Sequence, residues 1–440
     1  MLASRIIVEA PENPAAISAT LERLFPESIK RILLVTPPDS EAANFRADTA
    51  KRIRYPNYPP YGLAVIAAKL KDIGIEARIT NLNHEVLKRC VSSGEEFDYD
   101  AAWQKKLDED LASLRPDLVG VTCMFTMTHG SFKKVCARVK DAGYRLAIGG
   151  VHVTNDVERV LDDIPSADMA FLNEAEIAMQ RLVQVANKER GVEELGQLII
   201  VDGERRHRIR RDCKPQPQDI DVIPAYDLIP IGEMSSYGTV GAFYCFKPRG
   251  TRFATVLSNR GCRAQCTFCS VRTFNGVGVR QRSISSVVDE LEVLRDKGVG
   301  HIMWLDDDLL KDHRRAIGLF NEIVRRNLAL TWDATNGLIA ASCEHEVVAA
   351  MAESGCIAVN IGMESGNPKI LRQIKKPGRV ETFLAAAEVF RKFESIHACV
   401  LLMLGFPGET MGMIQDTINV AREMDLDWHR VVQLQPLPNT

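Results

Sequence analysis

Cys262, Cys266 and Cys269 fall within eight residues of one another, in Gly261-Cys262-Arg263-Ala264-Gln265-Cys266-Thr267-Phe268-Cys269. Thiolates at C-x3-C-x2-C spacing can hold three irons of a 4Fe–4S cube, which leaves the fourth iron without a protein ligand. Centres that do chemistry keep such an open position, whereas closed centres are structural. The other readings of the run are a zinc knuckle and a cluster of inert buried thiols. Zinc takes a fourth Cys or His close by, and none follows within a turn of Cys269. Phe268, next to the last cysteine, is placed to shield one face of a cluster.

Other groups share the same half of the chain. Trp304-Leu305-Asp306-Asp307-Asp308 ends an apolar run in three carboxylates. They can hold a divalent cation, bind an amine, or cap the next helix. An ammonium-bearing ligand is preferred over magnesium, because an iron with a vacant corner already calls for one. Ile361-Gly362-Met363-Glu364-Ser365-Gly366 sets a carboxylate beside glycines, where backbone can come close to a ligand while Glu364 takes its hydroxyls. Leu404-Gly405-Phe406-Pro407-Gly408-Glu409-Thr410 is a tight turn, with Glu409 suited to a first helical turn. Nearer the N-terminus, Gly149-Gly150-Val151-His152-Val153-Thr154 offers two glycines over which a flat, bulky ligand could lie. His152 there reads as a polar loop residue or as a ligand.

These groups sit at the ends of short apolar runs. Arg31-Ile32-Leu33-Leu34-Val35-Thr36, Ala77-Arg78-Ile79-Thr80, Asp117-Leu118-Val119-Gly120-Val121-Thr122, Leu146-Ala147-Ile148-Gly149-Gly150 and Met169-Ala170-Phe171-Leu172 read as buried parallel strands. Helical stretches at 62–70 and 130–142 separate some of them. Alternating strands and helices make an α/β fold, here a doubly wound, Rossmann-like sheet over 31–190. Ligands of such sheets lie beyond the carboxyl ends of the strands, which directs attention to loops 36–39, 122–128, 149–154 and 173–176. No G-x-G-x-x-G follows the first strand, which weakens a dinucleotide reading.

Residues 1–30 are an unassigned extension, with a short strand at Ile6-Ile7-Val8 and one helix over 13–25. Residues 191–250 read as a connector. It holds a hairpin around Asp202-Gly203 and a tract with Pro215, Pro217, Pro224 and Pro230. From 251 to 440 the alternation resumes, with strands at 253–257, 301–305, 330–334, 358–362, 398–404 and 431–434 and an amphipathic helix at 285–297. This is the pattern of a partial (β/α)6 barrel, with chemistry at the strands' carboxyl ends. The cysteine run follows its first strand. No helix is left after the sixth, so the natural chain is expected to continue beyond Thr440.

The 440 residues are 46% hydrophobic and 26% charged, ordinary for a globular protein of two or three domains. A net charge of −3 gives no case for nucleic acid or a membrane surface. No apolar stretch is long enough to span a membrane, and the N-terminus lacks a signal-peptide layout. Eleven cysteines, an odd number and scattered outside the one run, argue against a secreted disulfide framework and fit a reducing cytoplasm.

Taken together, these residues resemble the radical S-adenosylmethionine (SAM) enzymes that carry an N-terminal cobalamin-binding domain. The barrel resemblance, over about 250–440, rests on Cys262-x3-Cys266-x-Phe268-Cys269, on the Asp-rich strand end, on Gly362-Met363-Glu364-Ser365-Gly366-Asn367-Pro368 and on Gly405-Phe406-Pro407-Gly408-Glu409-Thr410. It implies that Cys262, Cys266 and Cys269 ligate the cluster, whose open iron binds the amino and carboxylate groups of SAM. One electron then cleaves the sulfonium and releases a 5′-deoxyadenosyl radical. Asp306, Asp307 and Asp308 would lie near the methionine end of SAM, Glu364 and Ser365 near its ribose, and Gly405 and Phe406 near the adenine. Phe268 and Asn336 would complete that site. The N-terminal resemblance, over about 31–185, rests on Thr36-Pro37-Pro38, on Tyr58-Pro59-Pro60-Tyr61-Gly62-Leu63, on the Gly149-Gly150 segment and on Asn173-Glu174-Ala175-Glu176. It implies cobalamin contacts at Thr36, Pro37, Thr122, Gly149, Gly150, His152, Asn173 and Glu174. The last segment departs from the family's Gly-Glu-Gly-Glu, which restricts how closely that loop meets a corrin. A D-x-H-x-x-G stretch is absent, so no protein histidine is expected below the cobalt.

The resemblance implies a cobalamin-dependent methyltransferase at an unactivated carbon, with a cyclase or rearrangement enzyme on the same scaffold as the alternative. A redox or cobalamin sensor is the reading that is not an enzyme. Methylthiolation would call for extra cluster cysteines in the N-terminal half, and Cys90, Cys123 and Cys136 do not follow that pattern. A small or lipid-like substrate and an external one-electron reductant, such as flavodoxin or ferredoxin, complete the expected set of partners.

Overall fold

Eight strands build the first sheet: β1 (Ile7–Ala10), β2 (Arg31–Thr36), β3 (Glu76–Asn81), β4 (Leu118–Thr122), β5 (Leu146–Gly149), β6 (Met169–Phe171), β7 (Leu198–Asp202) and β8 (Arg205–Ile209), in the order β1-β8-β7-β6-β5-β4-β2-β3. The structure is a computed structural model that describes residues 7–10, 13–94, 97–203 and 205–440. Residues 1–6, which include Ile6 of the expected first strand and most of the N-terminal stretch without a signal-peptide layout, lie outside the described residues.

The five strands from β2 to β6 pair in parallel. Leu33, Val35, Val119, Val121 and Ile148 pack into one helix layer, and Leu34, Leu118 and Ala147 into the other. Burial on both faces explains why these strands read as continuous apolar runs. The hairpin β7–β8 belongs to this sheet, because β7 runs antiparallel to β6 and β8 runs parallel to β1. Thus the first residues and the start of the expected connector widen the sheet. The helix Pro14–Leu24, capped by the Asn13 side chain on the Ala16 N–H, buries Ile17, Leu21 and Leu24 in the same core.

The chain divides into two units between Pro230 and Ile231. In the second, β9 (Arg252–Val256), β12 (Val299–Trp304), β13 (Thr331–Leu338), β14 (Cys356–Glu364), β15 (His397–Leu404) and β16 (Trp428–Gln433) run parallel, in the order β16-β15-β14-β13-β12-β9. A short antiparallel pair, β10 (Asn259–Arg260) and β11 (Arg280–Gln281), stands apart. β9 and β16 do not pair, so the barrel is partial.

Residues 231–250 pack with this sheet. Phe243 meets Ala358 and Cys399, and the Tyr244 ring stands edge-on to Phe253. Ala358 and Phe253 lie early in their strands, so this stretch closes the amino-terminal end of the barrel. The carboxyl ends are left for ligands.

Candidate functional site

The cysteine run lies in the loop after β9 and is pinched at its base by the β10–β11 pair. Gly261 opens it at φ +87°, and a Cβ there would stand 2.4 Å from the Gly278 carbonyl oxygen, so only glycine fits. Cys262, Cys266 and Cys269 are free and half-buried. The Cys269 N–H donates to the Cys266 carbonyl at 3.3 Å, and the Thr267 N–H to that of Ile374 at 3.0 Å. Burial pushes the Cys262 thiol up to about 11, with the charges of Asp308 and Asp307 adding to the rise. Burial also raises Cys266 and Cys269, and the nearby Lys376 opposes it. Thiols raised in this way are protonated at neutral pH, so metal uptake must release protons.

Among the described residues, no three His, Cys, Asp or Glu side chains gather as a site for a metal ion. A cube is less demanding, because its sulfurs bind three different irons and stand further apart. Three half-buried thiols on one pinched loop, each within electrostatic reach of a second, fit that group.

The Asp-rich end of β12 shapes this loop. Asp306 is buried and accepts from the Ser258 N–H (2.9 Å), the Ser258 hydroxyl (2.6 Å) and the Asn259 N–H (2.8 Å). Burial lifts its carboxyl to about 6, and these donors and Arg315 limit the rise. Asp308, also buried, accepts from Arg263 Nη2 at 3.2 Å in an ion pair whose Nε–carboxylate distance is 3.0 Å, and Arg263 also reaches the Ser342 hydroxyl. Asp307 is half-buried beside Asn275 Nδ2 (3.2 Å), and its charge is felt at Cys262 and Cys269. Of the three carboxylates, Asp307 is the least buried.

Glu364 ends β14 at φ +65°, a left-handed conformation held against its intrinsic cost. Its Oε1 lies 3.0 Å from Lys376 Nζ, and both side chains are 10% exposed. Ser365 is fully buried against Thr417 (3.2 Å between hydroxyls) and also accepts from the Asn367 N–H. It therefore anchors the turn to the helix Met411–Met424. Glu409 Oε2 accepts from the N–H groups of Gly405 (2.7 Å) and Phe406 (3.2 Å). The Phe406 ring is buried with Ile370 and Ile374, 6.1 Å from that of Phe268. Asn336 is exposed and ties β13 to the Leu305 carbonyl (2.6 Å).

In the first unit, a groove of roughly 350 Å³, solvent at its mouth included, runs over the sheet. Gly120, Thr122, Gly149 and Gly150 line it, with Leu63, Ile66, Ala175 and Met179 from the helical side. Gly150 has φ +107°, and a Cβ would stand 2.4 Å from the Cys123 carbonyl oxygen and 2.8 Å from Thr122 Oγ1. At Gly149 the nearest atom would be the Phe171 Cβ at 3.6 Å, an ordinary contact. Gly150→Ala should therefore destabilise the unit by about 1–3 kcal/mol. Gly149→Ala should cost far less, which the urea midpoints of the two variants would show.

His152 is not in the groove lining. It is buried with its Nε2 3.0 Å from His129 Nδ1, and His129 Nε2 is 3.0 Å from Asp163. Burial and His129 both hold His152 below the usual histidine range. Thr36, Pro37, Asn173 and Glu174 lie at strand ends outside the lining. Asn173 is left-handed (φ +58°) and its N–H donates to Thr154.

Residues 53–183 match the B12 binding domain, and residues 256–421 match the Radical SAM superfamily. The chain is a radical SAM protein with an N-terminal B12-binding domain. An uncharacterized methyltransferase of Pyrococcus horikoshii is 28% identical to it, over 94% of this chain and 82% of that one. The cytidylyl-2-hydroxyethylphosphonate methyltransferase of Streptomyces wedmorensis is 26% identical, over 90% and 77%. The radical SAM methyltransferase TsrM from Kitasatospora setae, solved with cobalamin and a [4Fe-4S] cluster, superposes with a TM-score of 0.73 at 19% identity. That match covers 94% of this chain and 74% of TsrM, and the two share a fold.

Two groups in the radical SAM unit carried no sequence signal. Lys376 sits in Lys375-Lys376-Pro377-Gly378, with nothing nearby in sequence to mark it, yet its side chain is 10% exposed and paired with Glu364. Arg263, between two cysteines, reads as an exposed charge and grips Asp308. In the B12-binding unit, Ile66 and Met179 carried no sequence signal, and only the packing turns them toward the groove. Among the described residues, no helix is long and apolar enough to cross a membrane.

Proposed function

We propose that this chain is a cobalamin-dependent radical SAM methyltransferase that acts at an unactivated carbon of a small molecule. The observation that carries the reading is a loop of three half-buried thiols at the mouth of a partial barrel, in one chain with a glycine-floored groove in a B12-binding unit. When bound, a 4Fe–4S cluster would supply the electron that cleaves SAM, and cobalamin would supply a methyl carrier.

The chain's own residues supply placement and shielding. Cys262, Cys266 and Cys269 would hold the cluster, and Phe268 with Phe406 would exclude water beside it. Asp307 would meet the ammonium of SAM. Glu364, fixed by Lys376, would meet its ribose hydroxyls. Asp306, Asp308 and Arg263 hold the loop that carries the thiols. Gly149, Gly150 and Thr122 leave room for a flat ligand, and Met179 and Leu63 give it an apolar wall.

Relatives named as methyltransferases match at higher identity than those named as magnesium-protoporphyrin IX monomethyl ester cyclases, which favours methyl transfer over cyclisation. The reading includes an external one-electron reductant, such as flavodoxin or ferredoxin, and a reducing cytoplasm. The test is product analysis on anaerobically reconstituted protein with SAM, cobalamin and substrate. Both S-adenosylhomocysteine and 5′-deoxyadenosine are expected. Substrate turnover with 5′-deoxyadenosine alone would defeat methyl transfer.

A further inference from the structure

Side chains alternate along a strand, so β16 sends Trp428, Arg430 and Val432 to one face and His429 and Val431 to the other. His429 Nε2 lies 3.0 Å from the Ala421 carbonyl, in the helix that covers the outside of the sheet. Trp428, Arg430 and Val432 therefore line the concave side. Register agrees: Trp428 stands beside Cys399 and Arg430 beside Leu401. Cys399 in turn packs on Phe243 and Ala358 at the closed end of the barrel.

The neighbours of Arg430 on this face carry no free carboxylate. β15 presents Cys399, Leu401 and Met403, and β14 presents Asn360 and Gly362. Further off, Glu364 is held by Lys376, and Asp333 by His301 at 3.0 Å and by Thr335. Arg430 is exposed and has no carboxylate partner among the described residues.

A second group on the face is unfinished. Asn360 is 1% exposed and gives its Nδ2 to the Thr335 carbonyl (2.6 Å), but its buried Oδ1 has no donor among the described residues. A buried acceptor is costly unless something supplies a proton to it.

We propose that this face binds a substrate with an oxyanion, carboxylate or phosphoryl in kind, held by the Arg430 guanidinium, and with a hydrogen-bond donor received by Asn360 Oδ1. The inference rests on the methyltransferase reading and names the class of small molecule that it would act on. A guanidinium suits such groups because its fork of N–H donors matches two oxygens at once. Trp428 adds an apolar plate beside it, so the oxyanion should be joined to an apolar body.

Trp428 is also the reporter. It is 64% exposed, while Trp103, Trp304 and Trp332 are buried. The full chain would be titrated with benzoate, phenylphosphonate and neutral benzamide, and acrylamide quenching of tryptophan emission would be read. Benzoate and phenylphosphonate should protect Trp428 saturably, and benzamide should not. Arg430→Gln should weaken the anions at least tenfold, and Arg430→Lys should keep part of the binding. Equal protection by benzamide, or unchanged anion binding in Arg430→Gln, would overturn the proposal. Far-ultraviolet circular dichroism would confirm that both variants are folded. SAM cleavage without substrate, on the same preparation, tests the methyltransferase reading separately. Its failure alone would leave the anion site standing.

Discussion

Cys266→Ala is expected to lower bound iron from about four per chain to a small fraction of that in anaerobic reconstitution. SAM cleavage should fall by more than about 100-fold, beyond the loss that follows removal of outer-shell partners alone. Cys266 sits between the other two thiols of its loop, and its electrostatic neighbours are Cys269, Lys376 and Glu364. Two sulfurs would leave two irons unheld. Cys245→Ala is the control: that residue is also a free thiol, exposed in the stretch that closes the other end of the barrel. Its iron content should match the parent. Iron retained in Cys266→Ala would remove the role given to the loop.

Lys376→Met should lower the reduction potential of the bound cluster and slow SAM cleavage by about 10–100-fold, the range seen when partners of a metal site are removed. Lys376 does two things at once. It pairs with Glu364 at 3.0 Å where both side chains are 10% exposed, and its charge opposes the burial of Cys266 and Cys269. Without it, Glu364 keeps its place with no cation, and the thiolate-held cluster accepts an electron in a less positive surrounding. Loss of one partner of a well-buried pair costs about 3 kcal/mol, and solvent at this half-open site reduces the figure, so the urea midpoint should fall modestly. A merely structural lysine would change the midpoint and leave the potential, read by redox titration with electron paramagnetic resonance, where it was. Lys376→Arg should recover most of the potential.

The strands that carry the site were legible because a parallel strand buried on both faces leaves an unbroken apolar run, as in 31–36 and 118–122. The cysteine loop was legible because its ligand types are close in sequence. Less was readable wherever a residue's role depends on a partner from another element. The spacing of Asp306, Asp307 and Asp308 shows three carboxylates, but not that Asp306 and Asp308 turn to Ser258, Asn259 and Arg263. Ser365 looks available beside its glycines, and only the helix Met411–Met424 reveals it as buried against Thr417. The Asp202-Gly203 turn marks a hairpin, yet local pattern cannot say which sheet will take it. β6 takes it, by antiparallel pairing with β7. Arg430 is unremarkable in sequence, and its facing follows from register with Leu401.

On the proposed function, three thiols hold a cluster with one vacant corner, and SAM fills it. Electron paramagnetic resonance on the reduced, reconstituted full chain, recorded with and without SAM, reads that corner directly. A reduced 4Fe–4S signal whose shape changes when SAM is added is the expected result. A cluster signal indifferent to SAM, or none in protein that has taken up zinc instead, would contradict it.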